Sequence, residues 1–412
     1  MQTQFNEIKS CEVCGNGQLE SVLNLGLHPM CDDLVEVGNS RVCREYPIEI
    51  LFCKTCLTAH QRFQVPKHDL FPKTYHYRSR FTADVLNGMA SLAESCENRF
   101  GSLAGKTVLD VGCNDGSLLD FFRQRGARTC GIEPTGAAAD ASEKKHFVIN
   151  DFLSPTVAEQ IIEPQGKPDF ITFTNVFAHI ENLREVLASL KILAGPKTVL
   201  VIENHYLGSV LATNQFDTFY HEHPRTYSYS SFEWMARSLG MGISEVEFPS
   251  RYGGNIRVFI SPPDMRRDPE NLQEIRDREA AFAERFATMS ANIGRWRVRK
   301  SEELAELTSK YGALRAKAFP GRAAILVKLL GLDEKTISAV HEKPDSLKIG
   351  HYLPGTRIPI KSDEALFGYP DQTLLLLNLA WHIPKEIRSY MTEHGYKGPI
   401  VDILSTADFP AD

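Results

Sequence analysis

The stretch Thr107-Val-Leu-Asp-Val111 runs straight into Gly112-Cys-Asn-Asp-Gly116 and then Ser117-Leu-Leu-Asp-Phe-Phe122, and no other feature constrains the fold as much. An apolar strand that enters a glycine turn and leaves as a helix opens a parallel βαβ unit, because glycine tolerates the tight reversal that lays the helix back over the sheet. Further apolar runs follow at the spacing of such units: Thr129-Cys-Gly-Ile-Glu133, Asp169-Phe-Ile-Thr-Phe-Thr174 and Thr198-Val-Leu-Val-Ile-Glu203. Strands alternating with helices predict an α/β, Rossmann-like parallel sheet with its ligand at the carboxyl ends of the strands. A glycine turn alone is also what an ordinary βα connection looks like, so the acids downstream decide.

The turn reads G-x-x-x-G, which differs from the dinucleotide fingerprint G-x-G-x-x-G. Asp115 would meet a pyrophosphate at the helix N-terminus with like charge. S-adenosylmethionine has no phosphate; it carries a sulfonium and an ammonium, which Asp110 and Asp115 attract. That cofactor is therefore expected over NAD, cradled by Gly112, Asn114 and Gly116. Glu133, 23 positions after Asp110, is placed for the ribose hydroxyls. Asp151 and Phe152 are expected at the adenine, and Asn175 leaves the carboxyl end of the strand ending at Thr174.

Nine cysteines in a chain with no sign of secretion call for a reason other than disulfides. Cys11-Glu-Val-Cys14 and Cys53-Lys-Thr-Cys56 form two C-x2-C knuckles, 38 residues apart, each offering two thiolates from a tight turn. Together they predict a closed, structural zinc site, with the intervening residues as an insertion. A redox pair is the alternative, but a catalytic C-x-x-C needs no second copy. The other five cysteines read as packing residues.

At 412 residues the chain predicts two or three domains. A net charge of −6 without a basic run disfavours a nucleic-acid partner. No apolar stretch of membrane-spanning length and no signal peptide stand in the sequence, so a cytoplasmic location is expected, as a monomer or weak homo-oligomer.

Residues 217–223 hold five ionisable side chains, Asp217, Tyr220, His221, Glu222 and His223. Crowded charges are costly to fold unless they are used, and imidazoles titrate near neutral pH. The plain alternative is a solvated polar loop.

The chain as a whole resembles the NDP-hexose C-methyltransferases of deoxysugar biosynthesis. The likeness rests on the paired knuckles, Val108-Leu-Asp-Val-Gly-Cys-Asn-Asp-Gly-Ser-Leu118, Asn175-Val-Phe-Ala-His179, Gln215-Phe-Asp-Thr-Phe-Tyr-His-Glu-His223, Gly253-Gly-Asn-Ile-Arg257 and Gly350-His-Tyr-Leu-Pro-Gly-Thr-Arg-Ile-Pro-Ile360. It departs from the family at Pro224-Arg225-Thr226, and at Ala318-Phe-Pro-Gly-Arg-Ala-Ala324, where a glycine-lysine loop is usual. The resemblance implies a zinc-binding domain over 1–72, a methyltransferase domain over 73–265, a helical connector over 266–310 and a second Rossmann-like domain over 311–412. It implies methylation of a nucleotide-linked 4-keto deoxysugar, at C-3 through an enolate, with S-adenosylmethionine as donor.

Such chemistry needs a base for the α-proton and a partner for the enolate oxygen. His223 is the expected base, with Glu222 orienting a neighbouring ring and Tyr220 or His179 at the keto oxygen. A histidine simply capping a strand end is the competing reading of His179. Tyr75 and Tyr77 are expected at the pocket mouth or in aromatic packing, and Arg257 and Arg322 at the diphosphate or in ordinary ion pairs. Two rivals remain: O- or N-methylation of a sugar or small metabolite, and a non-catalytic binding protein on the same scaffold.

Overall fold

A computed structural model of the protein describes residues 5–71, 78–369, 371 and 373–409, with only the backbone of Tyr252. The chain forms two compact units, neither contiguous in sequence. The first comprises Met1–Glu20, Leu51–Ser209 and Glu222–Phe282, and the second Ser21–Ile50, Val210–His221 and Ala283–Asp412.

The first unit is built on a seven-stranded sheet. Its strands are β1 (Thr107–Val111), β2 (Arg128–Ile132), β3 (Phe147–Ile149), β4 (Phe170–Thr174), β5 (Val199–His205), β6 (Gly242–Glu247) and β7 (Asn255–Ser261). Their spatial order is 3-2-1-4-5-7-6. Strands β1 to β5 are parallel, while β7 runs antiparallel to both β5 and β6. All five residues of β1 are buried, as a parallel strand covered on both faces requires. Helix Ala83–Phe100 lays Val85, Met89, Leu92, Ala93 and Cys96, at the three-to-four spacing of one helical face, on Val108, Phe170, Val199, Val201 and Phe259. The strand order reverses between β1 and β4, and their carboxyl ends flank the crevice where such sheets bind ligands. There Gly112 takes φ +73°, and a Cβ on it would lie 2.6 Å from a methyl of Val176. Only glycine permits that approach.

The second unit carries β8 (Leu314–Lys317), β9 (Ile337–Glu342), β10 (Ile360–Ser362), β11 (Leu376–Asn378) and β12 (Ile400–Asp402). All neighbours are parallel, in the order 10-9-8-11-12. The second Rossmann-like fold is thus present, with the same order of its first five strands as in the first sheet. Part of the segment between the cysteine knuckles also belongs to this unit: Val35–Glu36 pairs antiparallel with His351–Tyr352, and Arg357 donates to the carbonyls of Asn39, Ser40 and Arg41. No described helix is long and apolar enough to cross a membrane.

Candidate active site

The cofactor end of the crevice is assembled from the turn after β1 and the acid after β2. Asn114, at φ +49°, donates its backbone N–H to Glu133 at 2.9 Å. The other Glu133 oxygen accepts from the backbone and hydroxyl of Thr135, at 2.9 and 2.6 Å. A carboxylate has about four lone-pair sites, so Glu133 keeps acceptor capacity for a sugar hydroxyl. Asp110 sits on β1, 3% exposed, and accepts from the Thr172 hydroxyl at 2.6 Å. Burial pushes its carboxyl up to about 7, reinforced by the charge of Glu133.

Asp115, also expected to face a cationic ligand, turns inward. One oxygen accepts from the Ser117 hydroxyl and backbone at the start of helix Ser117–Gln124, the other from the Arg80 backbone. Its role in this structure is to fasten the turn. Asp151 is exposed and accepts from the Phe152 backbone, while Phe152 lies beneath the Lys67 ammonium at 4.5 Å and against the edge of His68. Asn175, at φ +53°, accepts from the Asn255 amide at 3.2 Å. Gly112 itself is packed against Val176, so the glycine allows the close approach of the two loops at the carboxyl ends of β1 and β4.

The run after Thr218 is divided between the units: Tyr220 and His221 fall in the second, Glu222 and His223 in the first. His223 is 4% exposed, its ring centre 4.8 Å from that of His179 and 5.3 Å from that of His205. His179, in the turn Phe177–His179 beyond β4, bonds through Nδ1 to the Glu222 carbonyl at 2.7 Å. Enclosure of its ring holds its pKa down at about 4, so it stays neutral at physiological pH and Nδ1 is the protonated, donating nitrogen. His221 is buried against Tyr46, bonded to that residue's carbonyl at 3.2 Å, and burial likewise lowers it to about 4. Sequence reasoning passed over His205 because it reads as the last residue of a strand. Asn204 was also missed; it is 1% exposed, and neither of its amide atoms finds a partner among the described residues. Tyr75 and Tyr77 lie outside the described residues.

The Gly253-Gly-Asn-Ile-Arg257 motif supports this edge from behind. Arg257, 1% exposed, bonds Glu203 at 2.7 Å through Nε and Glu247 at 2.7 Å through a terminal nitrogen, and its other contacts are Ser95 and the Gly88 carbonyl. Glu203 also receives Arg251 and Asn255. Arg257 thus spends its guanidinium on a buried ionic network one residue from Asn204.

In the second unit, Arg322 grips Asp217 bidentately at 2.8 and 2.6 Å and also donates to Gln215 and Thr218. Trp381 adds a third donor to Asp217 at 2.8 Å. Arg322, expected at a diphosphate, is here the clasp of the Gln215-Phe-Asp-Thr218 segment. At the loop after β8, Ala318 takes φ +62° and Glu342, at the end of β9, accepts the Phe319 N–H at 2.7 Å. That is the arrangement of Asn114 and Glu133 over again.

The four knuckle sulfurs converge. They all lie within 4.8 Å of one another, with Cys11 to Cys56 at 3.3 Å and Cys14 to Cys53 at 3.6 Å. Tetrahedral zinc with bonds of about 2.3 Å sets sulfurs roughly 3.8 Å apart, so the residues fit the ion. This centre is stitched to the chain beyond the histidines. Arg225 and Thr226 pair with His60 and Ala59, and Arg225 is bonded to Glu12, inside the first knuckle, at 2.5 Å. Ser228 and Ser231, which form the capping box of helix Tyr229–Ser238, both donate to the Cys56 carbonyl, at 3.4 and 3.3 Å. The family departure at Pro224-Arg225-Thr226 is therefore a docking strand.

Comparison with known proteins agrees with this layout. Family patterns described as a zinc binding domain, a methyltransferase domain and a C-methyltransferase C-terminal domain match residues 11–71, 76–245 and 250–400. The C-methyltransferase NovU of Streptomyces niveus is 30% identical over 398 residues, covering 94% of this chain and 93% of that protein. A ubiquinone biosynthesis O-methyltransferase of Acinetobacter baylyi is 30% identical over 174 residues, 41% of this chain and 63% of its own. Among solved structures, magnesium protoporphyrin IX methyltransferase of Synechocystis PCC 6803 with bound SAH has a TM-score of 0.35 and 16% identity, covering 43% of this chain and 83% of that one. The chain belongs to the C-methyltransferase family that includes NovU, as an S-adenosylmethionine-dependent methyltransferase with a structural zinc site at its N-terminus.

Proposed function

We propose that this enzyme methylates carbon next to the ketone of a nucleotide-linked 4-keto deoxysugar, at C-3, by way of an enolate. The observation that carries the reading is His223, buried beside the neutral imidazole of His179 at the carboxyl edge of the sheet. A C–H bond has no lone pair to attack a methyl group, so carbon methylation requires a base that O- or N-methylation can do without.

When bound, S-adenosylmethionine supplies the methyl group. His223 removes the α-proton and the C–H electron pair moves into the enolate, whose carbon would take the methyl group. His179, its Nδ1 committed to the Glu222 carbonyl, stands as a neutral imidazole beside the His223 ring. Glu222 serves through its backbone in holding that ring. Asp110 would meet the cofactor's ammonium and Glu133 its ribose. The sugar nucleotide as substrate class rests on the resemblance of the sequence motifs, Gln215 to His223 above all, to NDP-hexose C-methyltransferases.

The test is twofold. Purified enzyme is screened with dTDP-, GDP-, CDP- and UDP-linked 4-keto sugars for a gain of one methyl mass, and substrate is incubated in deuterated water without the methyl donor. Wild type exchanges the α-proton, and His223→Asn slows exchange and methylation by roughly 10²–10⁴-fold with cofactor affinity retained. Product carrying the methyl on oxygen or nitrogen overturns carbon methylation. Full exchange by His223→Asn overturns the choice of base.

A further inference from the structure

The geometry points to His205 as the residue that takes the abstracted proton from His223 and passes it on to solvent. This rests on the reading of His223 as base and extends it by one step. His205 is the last residue of β5, at the edge where ligands bind, and it is half-buried whereas His223 is enclosed. Their ring centres are 5.3 Å apart. A linear N–H···N bond between two imidazoles separates their centres by roughly 5 Å, so a proton can cross directly or through a small rotation.

The need for an outlet follows from the stoichiometry. Each turnover converts one C–H and one sulfonium into one C–CH3, one thioether and one free proton, which is left on His223. A base enclosed by protein must shed that proton before the next cycle. The two histidines beside it among the described residues are unequal as receivers. His179 is held near a pKa of about 4 by the enclosure of its ring and already has Nδ1 bonded to the Glu222 carbonyl, so it is a poor acceptor. His205 shares its face of β5 with Glu203, whose carboxylate sits two residues back among Arg251, Arg257 and Asn255. That network fixes the strand end that carries His205, which is itself half-buried.

The experiment compares His205→Ala and His205→Gln with wild type in full-length, zinc-loaded enzyme. With excess cofactor and substrate, His205→Ala should give a first turnover within about threefold of wild type, followed by steady-state methylation slowed roughly 10- to 100-fold at unchanged KM, a smaller loss than that of the base itself. Added free imidazole should restore the steady rate of His205→Ala. The Gln side chain fills the site but cannot carry the proton, so His205→Gln should behave like His205→Ala yet fold as wild type does. A steady rate unchanged in both variants overturns the proposal. So does a uniform loss in first and later turnovers that imidazole leaves untouched, which is what a packing role gives. If His223→Asn keeps α-proton exchange, the base assignment has failed; if it loses exchange while the His205 variants are fully active, only the outlet has failed.

Discussion

Replacing Arg322 with Met separates a ligand-binding arginine from a structural one. Asp217 is fully buried and its carboxylate accepts three bonds, two from Arg322 and one from the Trp381 indole. Removing the guanidinium leaves a carboxylate away from water with one neutral donor. Breaking a buried pair from one side costs about 3–5 kcal/mol, most of it the stranded charge. Spread over a unit of this size, that loss lowers its Tm by roughly 6–20 °C, at 2–4 °C per kcal/mol. Tryptophan fluorescence is the natural probe, because Trp296 and Trp381 are buried in the second unit. A chain of two units is followed transition by transition, without forcing a single two-state fit. The double variant Asp217→Leu/Arg322→Met should recover most of the loss, since no charge is then stranded. The reasoning is refuted if Arg322→Met keeps its Tm within about a degree and loses only substrate affinity, which would place the guanidinium on a diphosphate.

Cys53→Ser should lower zinc content and thermal stability together, read by elemental analysis and calorimetry; native protein free of zinc would sink the metal assignment. Asp110 gives a pH prediction. Its carboxyl is raised by burial from 3.8 to about 7, so between those values the folded protein holds a proton that the unfolded chain has released. Stability of the cofactor-free enzyme therefore falls as pH rises through that window, and the contribution is complete only below it. An ammonium beside Asp110 favours the carboxylate, so cofactor binding near pH 6 should release close to one proton per site. Calorimetry in buffers of different ionisation enthalpy measures that release, and Asp110→Asn should abolish it. Proton-neutral binding by the wild type would contradict the placement.

What the sequence showed most clearly was local. Val108 to Leu118 announces strand, turn and helix because the apolar run and the glycines act within a few residues of one another. The same holds for the knuckles, whose four thiols need only two tight turns brought together. Partners far along the chain leave no such trace. Arg257 and Arg322 look like ligands for phosphate until Glu203 and Asp217, 54 and 105 positions away, are seen bonded to them. Asp115 looks like a charge offered to a cation until Ser117 and Arg80 are found holding both its oxygens. His205 escaped notice for the opposite reason. A histidine closing an apolar strand carries no pattern of its own, and only the fold sets it beside His223. Where the chain between the knuckles belongs was equally unreadable, since part of it falls in the second unit.

The stitching of the zinc centre to the strand Arg225–Thr226 and to the cap of helix Tyr229–Ser238 gives the metal a place in time as well as in space. Cys11 and Cys14 are translated before any strand of the cofactor sheet, and the serines that bind the Cys56 carbonyl come long after them. A nascent chain that has captured its ion presents a finished surface on which Pro224 to Ser231 can settle. A chain that has not must order that stretch, and the histidines just ahead of it, with no template. Metal supply is then expected to act on assembly: a chain folded without zinc should keep its cofactor sheet and lose order at Pro224 to Ser231.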